Sequence, residues 1–251
     1  MKGKMLLGLT AILMLTGAAV PVKADDVWKF DAQRFVLKEY TGTETDVVVP
    51  DTMDEGVPVK RLGTQLLAGS ETLTSVVVPD SVTILDVGAL SYDNNLSEIT
   101  LSSNLINIGW NAISSNDALT ELTIPASVCI IDSYAVSGCY ALKKIVFEGA
   151  CPLIGSEAFV MLSDDVVIYV PDDQIEEYKK VFEENNKNLN IQPSGKPAVL
   201  YSAEDYLDTE NLTFDAETGS ITGYNGMNTR LTIPESIDGV PVKAIGKRAL
   251  W

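Results

Sequence analysis

LTELTIPASVCIIDSYAVSGCYA, residues 119–141, is one turn of a pattern that returns in tandem, each copy as long as this one. Its apolar positions recur in columns. Val76, Ile99, Leu122 and Ile145 form one column, and Val78, Leu101, Ile124 and Phe147 form another. Leu85, Ile108, Ile131 and Ile154 make a third, and Leu90, Ile113, Val136 and Phe159 a fourth. Ala89, Ala112, Ala135 and Ala158 share one slot, with Leu66 in the slot upstream and Ala249 far downstream. A step of this length marks a solenoid whose coils bury their apolar faces only against neighbouring coils.

Within the coil, apolar and polar residues alternate from Glu121 to Ile124, which is strand periodicity. Pro125 ends the strand because it cannot donate a ladder hydrogen bond. Val128 and Ile131 return to the core. The following slot holds Gly63, Asp86, Gly109, Asp132, Gly155 and Gly246, residues suited to a sharp turn or a helix N-cap. Ser133-Tyr134-Ala135-Val136 then reads as a short helical stretch whose alanine lets the backbone pack closely on the coil beneath. Leu73, Leu96, Leu119 and Leu142 close the turn. The fold class predicted is α/β: a parallel sheet with one short strand per coil, and short helical or irregular turns on the other side.

These residues resemble the BspA-like bacterial surface leucine-rich repeats. The strand half, Leu-x-x-Ile/Leu-x-Ile/Leu-Pro, stands at 119–125 and 73–79. The other half, Ser-Val-x-x-Ile-Gly/Asp-x-x-Ala-Phe, stands at 127–136 and in part at 154–159. Ser102 replaces the proline in one coil, and 88–90 and 112–113 lack the aromatic. The resemblance implies a leucine-rich-repeat solenoid. It also implies an exported, non-enzymatic recognition protein of a bacterial surface, adhering to host or neighbour-cell proteins. A carbohydrate- or cell-wall-binding accessory module of a larger surface protein is the alternative reading, and a structural spacer is a third.

The start of the chain supports export. Met1-Lys2-Gly3-Lys4, an apolar run from Met5 to Val20 and small residues before Asp25 describe a secretory signal peptide over 1–24, cleaved after Ala24. The formal charge is −17. Without Lys2, Lys4 and Lys23, 15 basic residues face 35 acidic ones, a balance near −20. Such a chain repels nucleic acid and anionic lipid, and no membrane insertion is expected after cleavage. The acidic balance serves solubility, with cationic partners or calcium as the other reading.

Three cysteines are too few for a disulfide framework. Cys151 shares a column with Val82, Leu105 and Val128, Cys139 sits at the turn of its coil, and Cys129 falls outside the apolar pattern. Free thiols are expected, with a Cys129–Cys151 bridge as the alternative.

A longer repeat overlies the short one. Residues 30–50 return at 214–234: Phe30-Asp31-Ala32 as Phe214-Asp215-Ala216, Tyr40 as Tyr224, Gly42 as Gly226, Thr45 as Thr229 and Pro50 as Pro234. Gly56-Val57-Pro58-Val59-Lys60 returns, one residue shorter, as Gly239-Val240-Pro241-Val242-Lys243. The segment reads as a strand-rich header capping a first coil. The predicted organisation is therefore a repeat module over 25–192, a linker at 193–197 and the start of a second module over 198–251. The first module closes with an acidic helix from about Asp172 to Lys187, with Asp172 and Asp173 at its N-terminus and Ile175, Tyr178 and Phe182 on one face. The pattern predicts another coil after Trp251, so the sequence reads as a fragment, with a stub capped by Trp251 as the alternative.

The sequence holds no histidine, which removes Ser-His-Asp and Cys-His arrangements and histidine metal sites. No Gly-x-Ser-x-Gly, Ser-x-x-Lys or phosphate-cradling glycine loop is present, and no twelve-residue calcium loop. Adjacent carboxylates such as Asp172-Asp173 and Glu176-Glu177 read as a solvated helix rather than a catalytic pair. No catalytic residue, cofactor or metal is assigned. The candidate ligand face is the exposed side of the parallel sheet, in three columns. These are Thr74, Ser97, Thr120 and Lys143; Ser75, Glu98, Glu121 and Lys144; and Val77, Thr100, Thr123 and Val146. No aromatic residue falls among these positions, which speaks against a sugar-stacking platform.

Overall fold

The structure, a computed structural model, describes residues 27–53, 56–185, 189–199, 212–224 and 233–246. The predicted signal segment 1–24, the Gly226 and Thr229 echoes and the end of the chain from Ala249 to Trp251 lie outside the described residues.

Each 23-residue step, such as Glu121 to Lys144, is one coil. Each coil carries two short parallel strands, not the single strand expected. In the first sheet, Arg61–Leu62, Ile84–Leu85, Asn107–Ile108, Ile130–Ile131 and Leu153–Ile154 stack in parallel. Leu85 faces Ile108, Ile108 faces Ile131 and Ile131 faces Ile154, so the register follows the sequence step. The second side holds Asp46–Val48, Ser75–Val77 and Glu98–Thr100, then Glu121–Ile124, Lys144–Phe147, Val167–Val170 and Asn190–Pro193. Apolar columns fill the space between. Val76, Leu85, Leu90, Ile108, Ile113, Ile131, Val136 and Ile145 are fully buried. Leu101 and Ile154 are the half-buried members of their columns.

From Gln65 to Val160 the third side is turn rather than helix, which corrects the helical reading of 133–136. From Gln65 to Gly69 the backbone N–H groups alternate in direction. Gln65, Leu67 and Gly69 donate to Val87, Ala89 and Ser91 of the next coil, while Leu66 and Ala68 donate three residues back to Gly63 and Gln65. The same alternation recurs around Ala89, Ala112 and Ala135. A helix would need every N–H to point back along its own chain. The arc resets direction through left-handed residues in one column: Gln65, Gly88, Asn111, Tyr134 and Glu157, with φ of 55°, 63°, 54°, 61° and 58°. Alanine is a strong helix former, but here backbone bonding between coils decides the conformation. The slot also requires a small side chain, since all four alanines are fully buried where coil meets coil.

The Gly/Asp slot is a strand exit, not an N-cap. The N–H groups of Gly63, Asp86, Gly109, Asp132 and Gly155 each donate to the first-sheet strand one coil earlier, at 2.7–2.9 Å. A Cβ built on Gly109 would lie 2.6 Å from the Leu85 carbonyl oxygen. Asp86 uses its carboxylate to pair with Arg61.

A buried polar ladder runs one column along, through Ser70, Asp93, Asn116 and Cys139. Ser70 N–H donates to the Asp93 carboxylate, and Asp93 N–H donates to Asn116 Oδ1 at 3.0 Å. Asn116 Nδ2 donates to the Leu90 and Ile113 carbonyls at 2.8 and 2.9 Å. Cys139 Sγ donates to the Ile113 carbonyl at 3.3 Å. None of the three cysteines is in a disulfide. Cys139 is buried, and burial pushes its thiol up to about 11. Cys151 is half-buried, with its thiol pushed to about 12 chiefly by desolvation.

Both ends of the stack are covered. At the start, the antiparallel strands Trp28–Asp31 and Val36–Tyr40 extend the first sheet, with the Trp28 and Tyr40 rings 4.3 Å apart. The hairpin Leu212–Asp215 and Ser220–Tyr224 repeats that register, with its irregularity at the same place. At the other end the helix Ile175–Asn185 replaces the turn arc. Its Tyr178 and Phe182 pack with Phe147 and Phe159, ring centres 4.9–6.3 Å apart. Tyr178 Oη donates to the Gly149 carbonyl at 3.1 Å. No helix among the described residues is long and apolar enough to cross a membrane.

Candidate recognition face

The outward face of the second sheet is built by strand alternation. In Glu121–Ile124, Leu122 and Ile124 are buried while Glu121 and Thr123 are exposed. The next strands add partners in register: Glu121 with Lys144 and Thr123 with Val146, after Ser75 with Glu98 and Val77 with Thr100. Two of the three columns thus stand side by side as expected. They fall in two blocks, because Glu98–Thr100 and Glu121–Ile124 lie adjacent without pairing.

The third column behaves differently. Thr74, Ser97, Thr120 and Lys143 lie one residue before their strands, and their positions tie coils together. Ser97 and Lys143 N–H groups donate to the Thr74 and Thr120 carbonyls, both at 2.9 Å. Thr74 Oγ1 donates to the Thr45 carbonyl at 2.9 Å, and Ser97 Oγ donates to the Thr74 carbonyl at 3.3 Å. Ser75 Oγ also donates to the Asp46 carboxylate at 2.6 Å, and with Thr45 and Thr74 it holds that carboxyl below the usual range. These hydroxyls are therefore engaged within the protein. The other polar groups of the face are Glu98, Thr100, Thr120, Glu121 and Thr123, all exposed. Glu121 and Lys144 form an ion pair at 2.9 Å between exposed side chains, a contact contributing ~1 kcal/mol at most.

The face extends further than the sequence reading carried it. Tyr169 stands opposite Val146 and Gln192 opposite Tyr169, each one coil further on. Flanked by buried Ile168 and Val170, Tyr169 turns outward. An aromatic ring does stand on this face, which corrects the expectation that none would. Continuing the Val146 column by one step identifies it. The helix hid the same step at Asn190–Pro193, which pairs with Val167–Val170 and so includes Pro193, the first residue of the predicted linker.

Beyond Pro193 the chain folds back as a wall. Ser194 N–H donates to the Val170 carbonyl at 2.8 Å, and Val199 N–H donates to the Glu148 carbonyl at 2.8 Å. Asp172 and Asp173 hold the wall between these points. Asp172 Oδ1 accepts from Gly195 N–H and Asp173 Oδ1 from Ala198 N–H, each at 2.8 Å. The pair sits before the helix, whose first-turn acids are Glu176 and Glu177. Wall and sheet enclose a cavity of about 430 Å³. Lys144, Val146, Glu148, Tyr169, Ser194 and Lys196 are among its lining residues.

Residues 60–190 match the BspA type leucine rich repeat region, in six copies. The chain belongs to this BspA-type leucine-rich-repeat family. As a BspA-type protein it is similar to a leucine-rich repeat protein from Bacteroides capillosus ATCC 29799, at 36% identity over 45% of this chain and 86% of that one, TM-score 0.40. It is similar to the T. pallidum leucine rich repeat protein at 21% identity, over 67% of this chain and 99% of that one, TM-score 0.43. A leucine rich cell surface protein from Faecalibacterium prausnitzii A2-165 aligns at 22% identity over 68% and 39%, TM-score 0.44. Among curated proteins no sequence matches the chain. Among the described residues no group of three or more His, Cys, Asp or Glu is placed to hold a metal ion.

Proposed function

We propose that this BspA-type repeat protein is an exported, non-enzymatic recognition protein that binds other proteins through the outward face of its second sheet. The observation that carries the reading is the register of that face. Side chains one repeat apart stand opposite one another, exposed or half-buried, on short strands whose inward residues are locked in the core. A partner laid across such a surface meets fixed side chains, so little ordering cost falls on this protein when it binds. Extended solenoid surfaces serve this purpose generally.

Surface proteins of a host or of neighbouring cells are the proposed partners, and adhesion is the proposed role. The basic and apolar start of the sequence supports export with cleavage after Ala24. A chain without histidine, nucleophile motif or phosphate loop supports the non-enzymatic reading.

The test is retention of the mature protein on immobilised host matrix proteins. Saturable binding that the triple variant Glu98→Lys, Glu121→Lys and Lys144→Glu weakens by roughly tenfold or more is the expected result, since reversed rim charges slow association and misalign the partner. Saturable binding that the variant leaves unchanged places recognition elsewhere. Hydrolysis of any polymer by the purified protein overturns the non-enzymatic reading.

A further inference from the structure

The cavity at the end of the second sheet has a chemistry of its own. Tyr169 supplies an aromatic ring, and Val146, Pro171, Pro197 and Val199 supply apolar walls. Around them Lys144, Lys196, Glu148 and Ser194 bring ammonium, carboxylate and hydroxyl groups to the same 430 Å³. That volume suits a small ligand. Lys144 already pairs with Glu121 and the Ser194 hydroxyl already donates to the Lys196 carbonyl, so an apolar side chain seated there would strand Glu148 and Lys196, which costs roughly 1–3 kcal/mol for each group buried. A sugar satisfies both demands, since its C–H face lies on an aromatic ring while its hydroxyls take donors and acceptors around the edge.

The charges narrow the class. Two lysines and one glutamate line the cavity, on a chain whose overall charge is −17. Lys144 already pairs with Glu121 at 2.9 Å, whereas Lys196 makes no ion pair with any described residue. Lys196 sits on the wall that Asp172 and Asp173 pin by backbone contacts on either side of it, so its backbone is fixed before any ligand arrives while its side chain is exposed. An ammonium group held in a partly enclosed site favours an anionic ligand.

We propose that this pocket binds a carboxylate-bearing sugar unit, a uronic or sialic acid, with the sugar ring on Tyr169 and its carboxylate at Lys196. Glu148 takes the ring hydroxyls. The inference goes beyond protein recognition by the sheet face; Lys144 lines the pocket and belongs to the triple variant, so the pocket is tested through Tyr169 and Lys196, which lie outside that variant.

The experiment is ligand-observed NMR titration of the full chain with glucuronic acid and N-acetylneuraminic acid. Galactose serves as the neutral sugar and a short poly-glutamate peptide as the alternative anion. Saturable binding of an acidic sugar is expected, with galactose weaker by roughly tenfold or more for want of the ion pair. Tyr169→Leu, which keeps apolar bulk, and Lys196→Gln are each expected to weaken acidic-sugar binding by roughly tenfold while the circular dichroism spectrum stays unchanged. Failure of both acids to saturate overturns the proposal. So does equal binding of galactose, preference for the peptide, or acidic-sugar binding that both folded variants leave intact.

Discussion

Asp93 is fully buried in the polar ladder, with one carboxylate oxygen, Oδ2, lacking a hydrogen-bond partner. Desolvation pushes its carboxyl up to about 7, against the lowering effect of the Ser70 and Gly69 N–H groups. The native state therefore holds a proton that the unfolded chain releases near pH 4. Stability from this group is complete below that point and falls as pH rises towards 7, by at most ~1.4 kcal/mol per pH unit. Asp93→Asn, which places here the residue already found at Asn116, is expected to flatten that fall and raise the melting temperature at pH 8. Melting curves of both proteins from pH 4 to 8 check this, and parallel curves contradict a desolvated carboxylate. Gln65, at φ 55°, permits a second test. Left-handed backbone disfavours β-branched residues most. Gln65→Val is therefore expected to destabilise by ~1–2 kcal/mol, while Gln65→Gly is expected to cost less, as denaturant titration measures.

At the scale of elements, the strands were more legible in the sequence than the turns. Alternation from Glu121 to Ile124 and the fixed step gave the second-sheet strands and their register, because inward and outward sides differ sharply in polarity. The first-sheet strands are two residues long, as at Ile130–Ile131, too short for alternation to declare them. The arc through Tyr134-Ala135-Val136 misleads because its conformation depends on hydrogen bonds to another coil, which no local propensity encodes. Asp172 and Asp173 mislead for a related reason, since their N–H partners at Gly195 and Ala198 lie across the helix in sequence. Of the candidate site, two columns of three stand in register as read. Lys196 carried no periodic signal, whereas Tyr169 did. The helix Ile175–Asn185 is expected to act as the cover of the last coil. Phe182→Ala removes a ring within 5.5 Å of Phe159 and 6.2 Å of Phe147. It should lower stability by ~3–5 kcal/mol, read by chemical denaturation, as cavities of that size do. A loss below ~1 kcal/mol contradicts the covering role.

For the whole molecule, the unit is the coil, and function rests on it twice. It repeats the outward side chains at a constant step, and it leaves an end at which sheet and returning wall line a pocket. Both depend on each repeat returning the chain to an equivalent position. Apolar columns then stack on the coil before and the coil after, as the register Leu85, Ile108, Ile131, Ile154 displays. Removing one whole coil should join equivalent positions and keep both covered ends, whereas removing a different length should shift every apolar column out of the core. The decisive measurement is thermal unfolding, by circular dichroism, of a protein lacking the whole coil 107–129, beside one lacking only 107–126. The account predicts cooperative melting for the whole-coil excision, at a somewhat lower temperature than the full chain, and no cooperative transition for the shorter excision. Equal behaviour of the two would contradict it.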